Sequence, residues 1–466
     1  MNLKIEDILK CTEGQLIIGN ESIDCKNYSK DTRTIKEGDT YIGIKGDSFD
    51  GNTFWEEAFN KGAETVIINK REIVEEKKKK YEAQNKSIIM VDDTILALGK
   101  MATYKRDLYG EKLKVIGVTG SVGKTSTKDI IANVMSQKFK TLKTEGNNNN
   151  NIGLPLTILR LQDEEVAIIE MGMNHSGEIS YLSKIAKPDI AVITNIGTSH
   201  IGNLGSRENI LNAKLEILDG MKKKRIVINN DNDLLHKWKI ENKEDIEIHT
   251  FGINNDSEAK AEDISLKSDS SEFTCKYNDE EIKIEVPVSG EHFILNALCG
   301  LSFGKIIGLS NEEIKKGIST FRLTAKRMEI IKLNNNITLI NDSYNASYES
   351  MKASILSLKN MNGNRKIAVL GDMFELGSFS EKLHRDVGIE VVKNKIDKLF
   401  VIGDNAKYIA EEAFNQGYDK ENVSYYTDRE TLIKELKEFL QDGDVVLIKA
   451  SNGMKLFDVA DAIIKG

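Results

Sequence analysis

The sequence predicts an α/β protein of three domains, the second and third built on parallel sheets. Three observations carry this. The chain has 466 residues, enough for about three domains of ordinary size. Apolar runs alternate with helical patterns through the last third, as β-α-β units do. And Gly117-Val118-Thr119-Gly120-Ser121-Val122-Gly123-Lys124-Thr125 joins an apolar run, Leu113 to Val118, to a helical pattern, Thr127 to Met135. Strand, glycine turn, Lys-Thr and helix form the layout of a phosphate-binding loop.

Residues 1–93 predict a small α/β domain. Ile5 to Leu9 opens a short amphipathic helix. Lys30 to Thr34 follows, then Gly38 to Gly46, which alternates like a strand and ends on glycine. Asp47 to Gly51 reads as a polar loop, Phe54 to Lys61 as a helix, Glu64 to Ile68 and Ile88 to Val91 as strands. The charged stretch 71–86 reads as a solvated helix or a loop insertion. Thr32-Arg33 and the Asp50-Gly51 turn suit an anionic ligand, or simply turn chemistry.

Residues 94–325 predict the nucleotide domain. Helix Thr94 to Tyr109 leads to the glycine loop, whose backbone N–H groups can turn inward around phosphate oxygens. Gly120, Ser121, Val122, Gly123, Lys124, Thr125 and Ser126 are its candidate contacts. Lys124 can reach the β- and γ-phosphates and the Thr125 hydroxyl can hold Mg²⁺. The strict motif has glycine where Val118 stands, so this is a variant loop. Val166 to Ile169 is a strand ending in Glu170, an acid placed as a second Mg²⁺ ligand would be. Strand Ile190 to Ile193 runs out to His200, a candidate metal ligand or base by position. Asn209 to Met221 reads as one helix holding Lys214. The segment 226–290 reads as strands and hairpins, including Glu272 to Tyr277 and Glu281 to Val286. A helix containing Asn296 opens at Gly290, and another covers 312–321.

Residues 326–466 predict a Rossmann-like parallel sheet. The strands are Ile337 to Ile340, Ile367 to Leu370, Leu399 to Ile402 and Val445 to Ile448, with helices 349–360, 380–393, 406–415 and 430–440 between them. Ligands in such sheets sit at the strands' carboxyl ends. Those ends carry Asn341 to Asn345, Gly371-Asp372-Met373, Gly403-Asp404 and Lys449 to Asn452, a polar crevice.

Composition sets limits. Net charge is −8, which argues against a nucleic-acid partner, since that needs a basic surface. Cys11, Cys25, Cys275 and Cys299 are scattered with no CxxC pair, so buried thiols in a reducing compartment are expected. The first ten residues carry charges among their apolar positions, unlike a signal peptide. No apolar run approaches the roughly 18 residues of a membrane span. A cytoplasmic, monomeric protein is the expectation.

In order, DTR at 31–33, GDTYIGIKG with its DG turn, TGSVGKTSTK, TEGNNNNNIGLPLT, EMGMNHSGEI, TNIGTSHIGNLGSRENILNAKLEI, AKRMEI, NDSYNASYESM, LGDMFELG with His384, and GDVVLIKAS resemble the motifs of the Mur ligases over nearly the whole chain. LGDMFELG and YNAS point to the branch that joins D-Ala-D-Ala to UDP-MurNAc-tripeptide. The resemblance implies an ATP-dependent amide ligase working through an acyl phosphate. It implies Lys124 on the phosphates, one Mg²⁺ at Thr125 and Glu170, and His200 at a second ion. Lys214 matches the family's carbamylated lysine, so Lys124, His200 and Lys214 become the catalytic candidates. Asn296 matches an adenine contact, and Arg327 and Asp342 match nucleotide contacts across the interdomain cleft. Thr32, Arg33, Gly46, Asp50 and Gly51 would hold the UDP part. Thr144, Asn147, Asn149 and Asn150 match a loop facing the muramoyl peptide, and Tyr344 and Asn345 would face the dipeptide.

Three residues depart from the family pattern: Phe293 stands for Asn, Tyr348 for Pro and Asn452 for Arg. The first bears on the adenine side, the other two on the amine side. A related Mur-type or polyglutamate-type ligase with another amine is the nearest alternative. A P-loop ATPase switch is the alternative of another class; it would need neither Lys214 nor the last domain's crevice.

Overall fold

The computed structural model describes residues 2–46, 48–70, 74 and 77–465. Three sheets organise it. The first has five strands, in spatial order Gln15–Ile18, Ser87–Met90, Thr65–Ile68, Thr40–Ile42 and Tyr28–Ser29. Its first pair is antiparallel and the others parallel. Helix Ile5–Thr12 packs on helix Thr94–Tyr109. Asp93 caps the latter, accepting from the N–H groups of Ile95 and Leu96, the role a short acidic side chain fills at a helix start.

The second sheet has nine strands. Across it run Glu280–Val286, Ser271–Tyr277, Ala259–Leu266, Glu247–Gly252, Arg225–Asn229, Ile190–Ile193, Lys114–Thr119, Val166–Glu170 and Thr141–Lys143. Every pair from Ala259–Leu266 to Thr141–Lys143 is parallel, and the two beyond are antiparallel. The chain leaves Lys114–Thr119 to one side and later returns to build the other. That strand is therefore the switch point where a crevice opens at the carboxyl ends.

Helix Lys124–Met135 rises from this strand and packs against helix Glu291–Ile307. The contact is close because its neighbours are small. A Cβ on Gly300 would lie 2.6 Å from Ile130, and one on Gly317 would lie 2.5 Å from the Val134 Cα.

The third sheet runs Glu329–Lys332, Thr338–Asn341, Val445–Lys449, Lys366–Gly371, Lys398–Ile402 and Val423–Tyr426, parallel except at its first pair. Its central strands are buried on both faces, which explains their unbroken apolar runs.

Several elements differ from the sequence expectation. The strand expected across Gly38–Gly46 is confined to Thr40–Ile42; beyond it the chain bends to the Lys45–Asp50 bridge. The helix expected from Phe54 begins as a tight 3₁₀ turn, Gly51–Phe54, capped by Asp50. Asn209 to Met221 is not one helix. It runs Arg207–Leu215 and then tightens to a 3₁₀ turn, Glu216–Leu218. The segment 226–290 also holds a helix, Asp233–Glu241, whose short amphipathic pattern is masked by flanking strands. Strands Glu329–Lys332 and Val423–Tyr426 went unexpected; only one residue of the two is buried, so neither shows a long apolar run. Within 71–86 the described part forms helix Lys78–Glu82. Residues 71–73, 75, 76 and Asp47 lie outside the described residues.

The four thiols are free, three of them buried. Among the described residues no helix is long and apolar enough to cross a membrane.

Candidate active site

The glycine loop is held from beneath by the strand beside it. Asn195 Oδ1 accepts from Val122 N at 2.9 Å, and Asn195 Nδ2 and Thr194 Oγ1 both donate to Val122 O. Gly197 N donates to Ser121 Oγ. Gly120 has φ 151° and Gly123 φ 81°, values that glycine adopts without a Cβ penalty. At Gly120 a Cβ would sit 1.9 Å from the Thr194 hydroxyl.

Among the described residues Lys124 has only carbonyl partners. Its ammonium donates to Gly120 O at 2.7 Å and Ser121 O at 3.2 Å. Burial lowers its pKa, with the Glu170 charge opposing that shift. Lys214 is 2% exposed. Among the described residues its ammonium has no hydrogen-bond or ion-pair partner. Burial, then the nearby Lys124 charge, push its pKa well down, which favours the neutral, nucleophilic amine.

Thr125 Oγ1 donates to Glu170 Oε2 at 3.1 Å, while Asn149 Nδ2 donates to Glu170 Oε1 at 2.9 Å. A hydroxyl and a carboxylate oxygen thus lie side by side, the hard-oxygen pair a Mg²⁺ ion takes along with phosphates and water. Among the described residues no three His, Cys, Asp or Glu side chains cluster as a metal site.

The cavity above the loop encloses about 500 Å³. It collects Ser121, Val122, Gly123, Lys124, Thr125, Ser126, Asn147, Asn149, Glu170, His200, Lys214 and Asn296 from the middle unit. From the last unit it collects Arg327, Asp342, Tyr344 and Asn345. Asn296 Oδ1 accepts from Thr127 Oγ1 at 2.9 Å. The Arg327 guanidinium lies 3.8 Å over the Tyr344 ring, and its buried Nε has no hydrogen-bond partner among the described residues. Lys449 Nζ meets Asp342 Oδ2 at 2.6 Å and Asn345 O at 3.0 Å. Asp342 also accepts from Ser354 Oγ and Met328 N.

Other candidates lie elsewhere or are already engaged. Gly120 shapes the loop but does not line the cavity. Thr144 is buried and its hydroxyl accepts from Glu170 N, so its side chain steadies the acid. Asn150 Oδ1 accepts from Gly153 N at 2.9 Å, at the start of helix Gly153–Leu159. No described residue of 1–93 lines the cavity. There, Arg33 forks onto Asp31 and Thr32 donates to Glu57. Gly46 N donates to Phe49 O. Asp50 pairs with Lys70 at 2.6 Å, a contact that brings its pKa down to about 2. Gly51 packs so closely that a Cβ would lie 2.5 Å from Ile44 O.

Sequence reasoning missed several contributors. Thr194 and Asn195 brace the loop, yet only their place after a buried strand marked them. Lys449 was visible as a strand-end cation. Glu349 reaches the middle unit, accepting from Thr198 Oγ1 at 3.1 Å, and had no local signal. His292 lines the cavity, and its burial lowers its pKa to about 4. Its ring lies against that of Phe293, centroids 4.2 Å apart and tilted by 43°. The departure at Phe293 thus puts an apolar ring where an amide was expected. His384 is fully buried: its Nε2 accepts from Met373 N and its Nδ1 faces Ser380 O at 2.7 Å. It therefore holds the 371–376 turn.

Comparison with known proteins gives a consistent result. A model described as the Mur ligase middle domain matches residues 118–304. One described as the Mur ligase, glutamate ligase domain matches 326–452. One described as the Mur ligase family, catalytic domain matches 25–106. The UDP-N-acetylmuramoyl-tripeptide–D-alanyl-D-alanine ligase of Bacillus subtilis is 39% identical over 438 residues, covering 93% of this chain and 92% of its own. A structure of MurF from Acinetobacter baumannii superposes with a TM-score of 0.88 at 28% identity, covering 100% of this chain and 99% of that one. MurF ligase from Thermotoga maritima, in complex with ADP, gives 0.80 at 28% identity over 94% and 97%.

Proposed function

Since the chain belongs to the Mur ligase family, we propose that it joins D-Ala-D-Ala to UDP-MurNAc-tripeptide at the expense of ATP. The product is UDP-MurNAc-pentapeptide, a peptidoglycan precursor. One observation carries the reading. Among the described residues, a single cavity sets two lysines with no carboxylate ion-pair partner, the half-buried Lys124 and the buried Lys214, opposite the polar strand ends of the last unit. An ammonium such as that of Lys124, drawn from water without a counter-charge, is costly, and an anionic substrate resolves that cost.

The chemistry must bring a carboxylate onto the γ-phosphate. Loop N–H groups and Lys124 bind the phosphates and offset the repulsion between the two anions. Thr125 and Glu170 would hold Mg²⁺, with His200 and Lys214 at a second ion; when bound, such ions neutralise charge developing on the phosphoryl oxygens. Lys214, whose pKa burial pushes down, is suited to carbamylation, which would turn it into an anion. Asn296 would contact adenine, while Arg327 and Asp342 reach the nucleotide from the far wall. Attack by the carboxylate gives an acyl phosphate and ADP. The dipeptide amine, held near Tyr344 and Asn345, then displaces phosphate to form the amide. Thr32, Arg33, Gly46 and the Asp50-Gly51 turn would bind the UDP moiety. Asn147 and Asn149, backed by Thr144 and Asn150, would face the peptide stem. Units 1–93, 94–325 and 326–466 serve the UDP substrate, ATP and the amine respectively. Dependence on ATP supports a cytoplasmic location, and a cavity completed within one chain supports a monomer as the working unit.

The test is phosphate release from ATP and Mg²⁺ with the other substrates varied. Release that needs both UDP-MurNAc-tripeptide and D-Ala-D-Ala, with a pentapeptide product by mass, is expected. Hydrolysis indifferent to both would sink the ligase reading and favour a switch ATPase. Preference for another amine would implicate Tyr348 and Asn452.

A further inference from the structure

Two segments far apart in sequence interlock at the edge of the cavity. His200 has φ 63° and Glu375 φ 62°, left-handed conformations that a non-glycine residue keeps only where its surroundings enforce them. Gly202 N donates to Glu375 O at 3.0 Å. A Cβ on Gly202 would lie 2.5 Å from Gly377 N and 2.7 Å from Glu375 O, so only glycine lets the two backbones approach this closely. Across that contact the Glu375 carboxylate meets His200 Nδ1. His200 lines the cavity, and among the described residues its other ring nitrogen, Nε2, has no hydrogen-bond partner. Where an imidazole binds a metal through one nitrogen, a carboxylate on the other fixes the tautomer and the ring's direction.

The geometry points to Glu375 as a positioning residue for His200: docking of the last unit onto the middle one sets the imidazole that faces the cation. The inference rests on the proposed role of His200 at a cation. Metal affinity is then linked to domain docking through one side-chain contact and one backbone contact. Glu375 is itself exposed, so its replacement leaves the core packing intact.

The test is Mn²⁺ titration of the full chain with ADP and inorganic phosphate, following free Mn²⁺ by electron paramagnetic resonance. Glu375→Ala is expected to weaken Mn²⁺ binding about tenfold to a hundredfold, with ADP affinity in the absence of metal unchanged. Glu375→Gln keeps an acceptor for the ring N–H and loses less. Gly202→Ala keeps the carboxylate but forces the segments apart, and is expected to lose as much as Glu375→Ala. In turnover, the Mg²⁺ concentration for half-maximal rate rises more than kcat falls. His200→Ala separates the two ideas. If it impairs Mn²⁺ binding while Glu375→Ala and Gly202→Ala bind as the unaltered protein does, the coupling is wrong and the cation site stands. If His200→Ala itself binds Mn²⁺ normally, the cation role of His200 falls, and this inference with it.

Discussion

The loop around Lys124 and the turns around Arg33 and Asp50 are both candidate anion sites, yet they are built in opposite ways. In the first, neither lysine has an acidic partner among the described residues: Lys124 donates to carbonyls, and Lys214 is buried with its pKa pushed down. In the second, each charge is already matched, Arg33 to Asp31 and Asp50 to Lys70, near the surface. The difference teaches where binding energy is stored. An unmatched cation in a cleft gains more from an incoming phosphate, because no counter-charge has first to be displaced. A surface pair must first be broken, and such pairs are worth about 0–1 kcal/mol. The first arrangement suits charge stabilisation in a transition state. The second suits reversible recognition.

The comparison breaks most sharply at Lys124. Lys124→Ala is expected to lower kcat by at least about a hundredfold to a thousandfold, read as phosphate release with all substrates present. Turnover within tenfold of the unaltered enzyme would refute the stored-charge account. Lys214→Ala is expected to lose activity to a similar degree, with partial recovery on adding short-chain carboxylic acids that replace the carbamate anion. A fall without recovery would count against the carbamate role.

The buried Lys449–Asp342 pair asks whether matched charges inside the cavity matter for folding. Both side chains are nearly buried, so Lys449→Ala leaves an uncompensated carboxylate. Its expected cost is about 3–5 kcal/mol, measured as a shift in the urea midpoint. A shift equivalent to less than about 1 kcal/mol would show that water reaches Asp342.

At the surface site effects should be smaller. Arg33→Ala is expected to raise KM for the UDP substrate about tenfold, with kcat and thermal stability nearly unchanged, since an exposed pair contributes little to folding. Smallest is the acid response of Asp50. Its folded pKa is lowered, chiefly by the Lys70 contact, to about 2. Its contribution to stability is thus present above about 3.8 and lost as the pH falls towards 2. Asp50→Asn should flatten that slope in acid melts. An unchanged slope would mean that the Lys70 contact does not persist in solution.

Much of this was legible in the sequence because the signals were local. Strand Ile190–Ile193 and helix Thr94–Tyr109 were bounded as observed, since apolar runs and an Asp cap act within a few residues. The glycine loop announced itself through Gly123-Lys124-Thr125. What stayed hidden depends on contacts between distant segments. Glu349 and Glu375 are ordinary surface acids until the last unit meets residues 197–202. The split of Asn209–Met221 arises where Glu216 turns to accept from Gly177 N and Ser180 N, a choice no helical pattern encodes. Thr144 was expected to face substrate because its motif matches a family loop. Its burial follows from its neighbouring strand.

The cavity draws its walls from segments that lie on separate sheets, with no wall complete in either. The site therefore behaves like the gap between two jaws. A compound screened against residues 94–325 alone would meet an open half-groove with few places to grip. One that touches Lys124 on one side and Tyr344 on the other would instead clamp the jaws together, and its affinity would report how often they close unaided. Such a compound would act as a gauge of closure as well as an inhibitor.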